Sequence, residues 1–173
     1  ATVMTKTSTT VYTYAHTVAA GNGNASVVMS VAEDAGGNVV IATPTSGATF
    51  VVDNTAPTAA ITYSRSGQYE KNDAVTITAT FSEAVADSPV PKIAITGSNA
   101  VSATVMTKTS TTVYTYAHTV DHGSGNASVV MSVAKDVAGN AITATPTSGA
   151  TFVVDNKSSS QNQHPPHIHD EVT

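Results

Sequence analysis

Six side chains carry the oxygen atoms that give this chain its clearest chemical option: Asp53, Asn54, Glu83, Asp87, Asp136 and Asn140. Carboxylates and carboxamides are hard ligands. Ca²⁺ takes roughly 6–8 such oxygens in flexible geometry, whereas Mg²⁺ gives up its water reluctantly. Brought together, the six would hold Ca²⁺. Kept apart, Asp136 and Asn140 build a turn around Gly139, and Asp53-Asn54 closes the strand before it. A second group, His164, His167, His169 and Asp170, offers ligands of the kind Zn²⁺ or Ni²⁺ takes. Pro165-Pro166 stiffens that backbone, and no second ligand set accompanies it, so a linker is the plainer expectation for the tail. Catalysis finds no support: there is no Gly-x-Ser-x-Gly elbow, no histidine is placed for a triad, and the few carboxylates sit in loops. The expectation is a protein that is not an enzyme. Tyr12, Tyr14, Tyr114 and Tyr116 can stack on a sugar, but their period of two places each pair on one strand face, where packing is the simpler role. Lys92 and Lys108 lack the buried apolar setting that a Lys–Asn isopeptide needs.

Where these residues meet depends on the elements that carry them, and the first fact about those is duplication. Residues 1–54 return as residues 103–156, with nine differences (positions 19, 20, 22, 33, 35, 36, 39, 40 and 41) and the other 45 identical. A period of 102 residues is too long for a solenoid repeat and suits one small domain. The chain thus divides into the C-terminal half of a repeat (1–54), a complete repeat (55–156) and a tail (157–173).

Within the complete repeat the apolar period is two. Val75, Ile77, Ala79 and Phe81 alternate with Thr76, Thr78 and Thr80, which predicts a strand over 74–81. Further strands are expected at about 58–64, 92–96, 100–107, 111–120, 127–134 and 150–155, with polar turns at 67–73, 82–91, 97–99, 121–126 and 135–149. Inward positions are Ala59, Ile61, Tyr63, Ile93, Ile95, Val101, Ala103, Val105, Val129, Met131, Val133, Phe152 and Val154, while His16 and His118 fall at strand ends as rim residues. Seven short strands without a helical period predict an all-β fold, a seven-stranded antiparallel sandwich of immunoglobulin-like type. Parallel pairing is not expected, since no crossover helix is visible. Strands alternating in direction return the loops at 82–91 and 135–149 to one pole, beside the start of the first strand. That convergence is what would gather Glu83, Asp87, Asp136 and Asn140 around Asp53-Asn54.

Composition sets outer limits. Thr (29) and Val (24) dominate, both branched at Cβ and suited to pleated sheets. Charged residues make up 11% and the net charge is −5, without the basic patch a nucleic acid requires. No apolar run reaches the ~18 residues of a membrane span, and cysteine is absent. A Thr-rich, Lys-poor surface fits an exported protein.

Phe81-Ser-Glu-Ala-Val85, Lys135-Asp-Val-Ala-Gly-Asn140 and Phe50-Val-Val-Asp-Asn-Thr-Ala-Pro-Thr58 together resemble the bacterial immunoglobulin-like repeats of large surface proteins and adhesins. The resemblance covers residues 1–156. It implies an extracellular spacer or adhesive stalk on the bacterial surface, whose partners are neighbouring repeats or copies of itself. Asp-Asn-x-Ala-Pro is also similar to the linkers of cadherin-like junctions, which hold Ca²⁺. A second expectation follows from the isolated half: residues 1–54 lack the strands that would cover them. Strand exchange or donor-strand completion between chains would then give a homo-oligomer or a pilus-like filament.

Overall fold

The computed structural model describes residues 2–156; the histidine-rich segment of the tail lies outside the described residues. Thirteen strands and no helix are found among them. In the first copy these are β1 (Thr5–Lys6), β2 (Tyr12–Thr13), β3 (Gly23–Ser26) and β4 (Thr49–Val52). The remainder follow as β5 (Ala59–Tyr63), β6 (Gln68–Tyr69), β7 (Ala74–Phe81), β8 (Lys92–Gly97), β9 (Val101–Val105), β10 (Thr107–Lys108), β11 (Val113–Thr119), β12 (Gly125–Ser132) and β13 (Thr151–Val154).

Residues 55–156 form two sheets with a shared core. One has the order β10-β11-β7-β5, the other β6-β13-β12-β8-β9. β7 alternates buried and solvent-facing residues along its length, as period two requires, and its Val75, Ile77, Ala79 and Phe81 meet Ile93, Ile95, Val129 and Met131 of the other sheet in one apolar cluster. The ring of Phe152 lies 5.3 Å from that of Tyr63 and 5.8 Å from that of Tyr69. Gly97, at φ +81°, turns the chain where any side chain would strike the Asn126 carbonyl. The architecture is all-β and sandwich-like.

Five details depart from the sequence expectations. First, β6 pairs with β13 in parallel, Val153 opposite Gln68 and Val154 opposite Tyr69. No crossover helix is needed, because almost the whole repeat separates the two strands and serves as the connection. Second, Tyr69, expected in a polar turn, is fully buried, its hydroxyl donating to the Arg65 carbonyl at 2.7 Å. Third, the inward alternation expected at Val101, Ala103 and Val105 fails. Ala103 and Val105 are exposed, Val101 is half-buried, and Met106 takes the core position where the chain passes from β9 in one sheet to β10 in the other. Fourth, Val133 is half exposed with a left-handed backbone (φ 52°), which ends β12, shifts the alternation by one, and buries Ala134 and Asp136 instead. Fifth, His118 is buried rather than on the rim, continuing the Tyr114 and Tyr116 face and lying 6.4 Å from Phe152 between ring centroids.

The first copy keeps its hairpins and loses its burial. β1–β2 has the register of β10–β11, and β3–β4 that of β12–β13. Yet Tyr12 is 49% exposed against 1% for Tyr114, and Val27 is 41% exposed against 2% for Val129. The difference is the segment 59–97, whose β7 and β8 cover only the second copy.

Two outcomes follow. Val129→Ala removes two buried carbons and lowers the stability of the 55–156 unit by about 2 kcal/mol, whereas Val27→Ala changes it by less than about 0.5 kcal/mol; urea denaturation compares them. Burial holds the His118 imidazole below its ordinary range, so the unfolded chain takes up a proton that the folded one refuses. Stability therefore falls as pH drops through the ordinary histidine value, and His118→Phe flattens the melting temperature between about pH 7.5 and 5.5.

Candidate metal centre

Three loops build the cluster at one end of the 55–156 unit. Asp53 stands in the junction after β4. It is tied to the unit by Thr58, whose N–H donates to Ser82 Oγ (3.0 Å) and whose carbonyl accepts from Ser82 N (2.9 Å). Glu83 begins the loop after β7. That loop is held against the one after β12 by a Val85–Asp136 bridge and by the Ala86 N–H donating to the Lys135 carbonyl at 2.8 Å. Asp136 belongs to the second of these loops. The result is that carboxylate oxygens of Asp53, Glu83 and Asp136 all lie within 4.8 Å of one another, Asp136 buried and the other two partly so.

The six expected ligands divide accordingly. Asp53, Glu83 and Asp136 come together. Asn140 joins them as a donor: its Nδ2 gives hydrogen bonds to Asp136 Oδ2 (2.7 Å) and to the Asp53 carbonyl (3.0 Å). Asn54 turns toward the first copy, donating from Nδ2 to the Gly21 carbonyl (2.5 Å) while its N–H donates to Asn22 Oδ1 (2.6 Å). Asp87 makes an ion pair with Lys108. The Thr58–Ser82 clamp has no signature in the sequence pattern; it emerges only once β5 and β7 are paired.

Asp136 is chiefly a turn builder. Its Oδ1 accepts from the N–H groups of Gly139 (2.6 Å) and Asn140 (2.8 Å). In the first copy Asp34 and Asn38 make the same kind of turn, with Asp34 Oδ1 accepting from the Gly36 and Asn38 N–H groups at 2.8 and 2.9 Å. There, among the described residues, Asp34 belongs to no carboxylate cluster of this kind, and its turn forms without one. The features that exceed turn chemistry are therefore Asp53 and Glu83.

The electrostatics agree. Burial disfavours ionisation of Asp136, but hydrogen bonds from the Asn140 side chain, then from backbone N–H groups, outweigh it and hold the carboxyl below its ordinary value. Glu83 moves the other way: partial burial, the charges of Asp53 and Asp136, and a hydrogen bond shared with Asp53 push it above the usual glutamate value of 4.5. Three carboxylates with one of them resisting ionisation form a donor set suited to a hard cation, which would relieve the repulsion.

No protein-family model, curated protein or solved structure matches this chain.

A raised folded-state pKa contributes stability below the ordinary glutamate value and loses it as pH rises through the raised one. Glu83→Gln is therefore expected to melt above the parent chain at pH 7 in the presence of a chelator. The two melting temperatures converge as pH is lowered through the glutamate range, which differential scanning calorimetry reads directly.

Proposed function

We propose that this chain is an extracellular structural or adhesive segment of a bacterial surface protein, a stalk or spacer built from immunoglobulin-like β-sandwich repeats. Ca²⁺ at the repeat junction stiffens it. The observation that carries this reading is the junction: Asp53 ends one repeat, while Glu83 and Asp136 come from the next, and the three carboxylates converge. A cation bridging them ties consecutive repeats at a fixed angle, which is what a stalk requires and a flexible tether does not. Duplication at 45 of 54 positions, a Thr-rich surface and the three motifs of the sequence support the same assignment. Asp155, the counterpart of Asp53 in the second copy, occupies the place from which the next junction would begin.

The alternative is a filament subunit that polymerises by strand exchange or donor-strand completion; it draws on β1–β2 and β3–β4, which stand as separate two-stranded sheets among the described residues.

Calorimetric titration with Ca²⁺ tests the stalk reading. Binding at a free concentration 100-fold above the dissociation constant stabilises the 55–156 unit by about 2.7 kcal/mol. Asp53→Asn and Glu83→Gln are each expected to abolish most of that gain. Absence of heat together with an unchanged melting temperature would sink the junctional cation.

A further inference from the structure

The turn that leads into β3 places a second piece of chemistry at the repeat junction. Position 22, one of the nine at which the copies differ, is asparagine in the first copy and serine (Ser124) in the second. Asn22 is followed by Gly23, and every other asparagine of the chain is followed by a residue that carries a Cβ. The two turns are otherwise alike. Gly23 and Gly125 have φ of +132° and +131°, while Asn54 N donates to Asn22 Oδ1 (2.6 Å) and Asn156 N to Ser124 Oγ (2.8 Å). Residues 121–126 are exposed even though their copy is covered, so access to this turn does not depend on the cover.

Three features make Asn22-Gly23 a reactive pair. Gly23 has no side chain, and nothing lies within 4 Å of where one would begin, so its amide nitrogen can close on the preceding side chain. Asn22 Oδ1 accepts from the Asn54 N–H at 2.6 Å, which places a donor on the oxygen where negative charge builds when a nucleophile adds to Cγ. Asn22 Nδ2, the nitrogen that must leave, donates to Thr55 Oγ1 at 2.7 Å, and that hydroxyl carries a proton it can hand over in return.

We propose that Asn22-Gly23 is a self-modifying site, which deamidates in the folded chain and changes the junction irreversibly. Gly23 N gives up its proton and bonds to Asn22 Cγ. The Cγ–Nδ2 bond breaks, and Nδ2 leaves as ammonia with the equivalent of that proton. Water then opens the cyclic imide. Opening at Cγ leaves aspartate, opening at the main-chain carbonyl leaves isoaspartate, and neither step oxidises or reduces anything. Either product puts a carboxylate into the turn that contacts Asn54 and Thr55, directly after Asp53. Isoaspartate also lengthens the backbone by one carbon just ahead of the Gly23–Val52 pair, which draws the acceptor away from the Asn54 N–H. Ser124 has no carboxamide, so the second copy is exempt. This chemistry needs neither the cation nor the stalk.

The test incubates the folded full chain in mildly alkaline water enriched in heavy oxygen and maps its peptides by tandem mass spectrometry. The peptide holding Asn22 is expected to take up heavy oxygen and to split into aspartate and isoaspartate forms. Its conversion should run at least about tenfold faster than that of Asn24 or Asn126, which precede alanine. Asn22→Ser, which installs the residue found at position 124, abolishes the conversion and leaves the melting of the 55–156 unit unchanged. In the separated isoaspartate form, amide exchange at Asn54 rises. An Asn22 that stays intact in the folded chain while the urea-unfolded chain converts would overturn the proposal. So would equal conversion at Asn24 or Asn126, or an isoaspartate form whose Asn54 exchange matches that of the parent.

Discussion

Every feature of this molecule depends on whether the inner face of the repeated segment is covered. The residues whose burial differs most between the copies are Tyr12 and Tyr114, Val18 and Val120, Val27 and Val129, and Phe50 and Phe152. None is among the nine positions at which the copies differ. Local sequence thus cannot be the cause. The hairpins form in both copies because their hydrogen bonds close within a few tens of residues, and neither needs the opposite sheet. Burial is a tertiary property. It arrives only where β7 pairs with β11 in one sheet and β8 with β12 in the other, so that the two sheets share one apolar layer.

The same covering event creates the carboxylate cluster. Insertion of β5 and β7 brings the junction residue Asp53 and the loop residue Glu83 to the end of the unit where Asp136 already stands in its turn. The first copy has the turn without the other two carboxylates, and so separates two effects that one copy alone would confound. The Asp-x-x-Gly-Asn geometry is local and autonomous, whereas the proximity of three carboxylates is a consequence of packing. Raised protonation at Glu83 is accordingly a cost of folding, and a cation would offset it.

Strands with strict period two were legible before any coordinates. The 74–81 prediction coincides with β7, and the 92–96 prediction falls one residue short of β8. Alternating strand direction also placed Asp53, Glu83 and Asp136 at one pole. The errors have a common origin in places where a strand leaves its sheet. Met106 is buried because the chain changes sheets there, and Tyr69 is buried because β6 pairs with β13 rather than continuing β5. Val133 is displaced because a left-handed residue ends β12. Period counting assumes one uninterrupted pleat, and each interruption reverses inside and outside. His118 departs for another reason: it stands near the end of β11 as expected, but the inward alternation of Tyr114 and Tyr116 runs on through it to the buried Val120. Asn54 and Asp87 were drawn toward the site by residue type alone, since nothing in the sequence announces the Gly21 carbonyl or the Lys108 ammonium as their partners.

Near-identity of the two faces raises a question of choice, because the segment 59–97 could serve either. Connectivity decides it. Toward the second copy, β8 reaches β9 through the short turn at Ser98–Ala100, a hairpin that costs little to close. Toward the first copy the geometry is adverse. In the folded unit the segment containing β5 and β6 runs parallel to β13, with Ala60 beside Ser148 and Tyr69 beside Val154. A chain leaving β4 would have to retrace that strand before β5 could begin. Only residues 53–58 are free to do so, and they span at most about 20 Å when fully extended, roughly the length to be retraced. They would also surrender the turn that Asp53 makes with Thr55 and the clamp between Thr58 and Ser82. The cover therefore closes forward, onto residues 103–156.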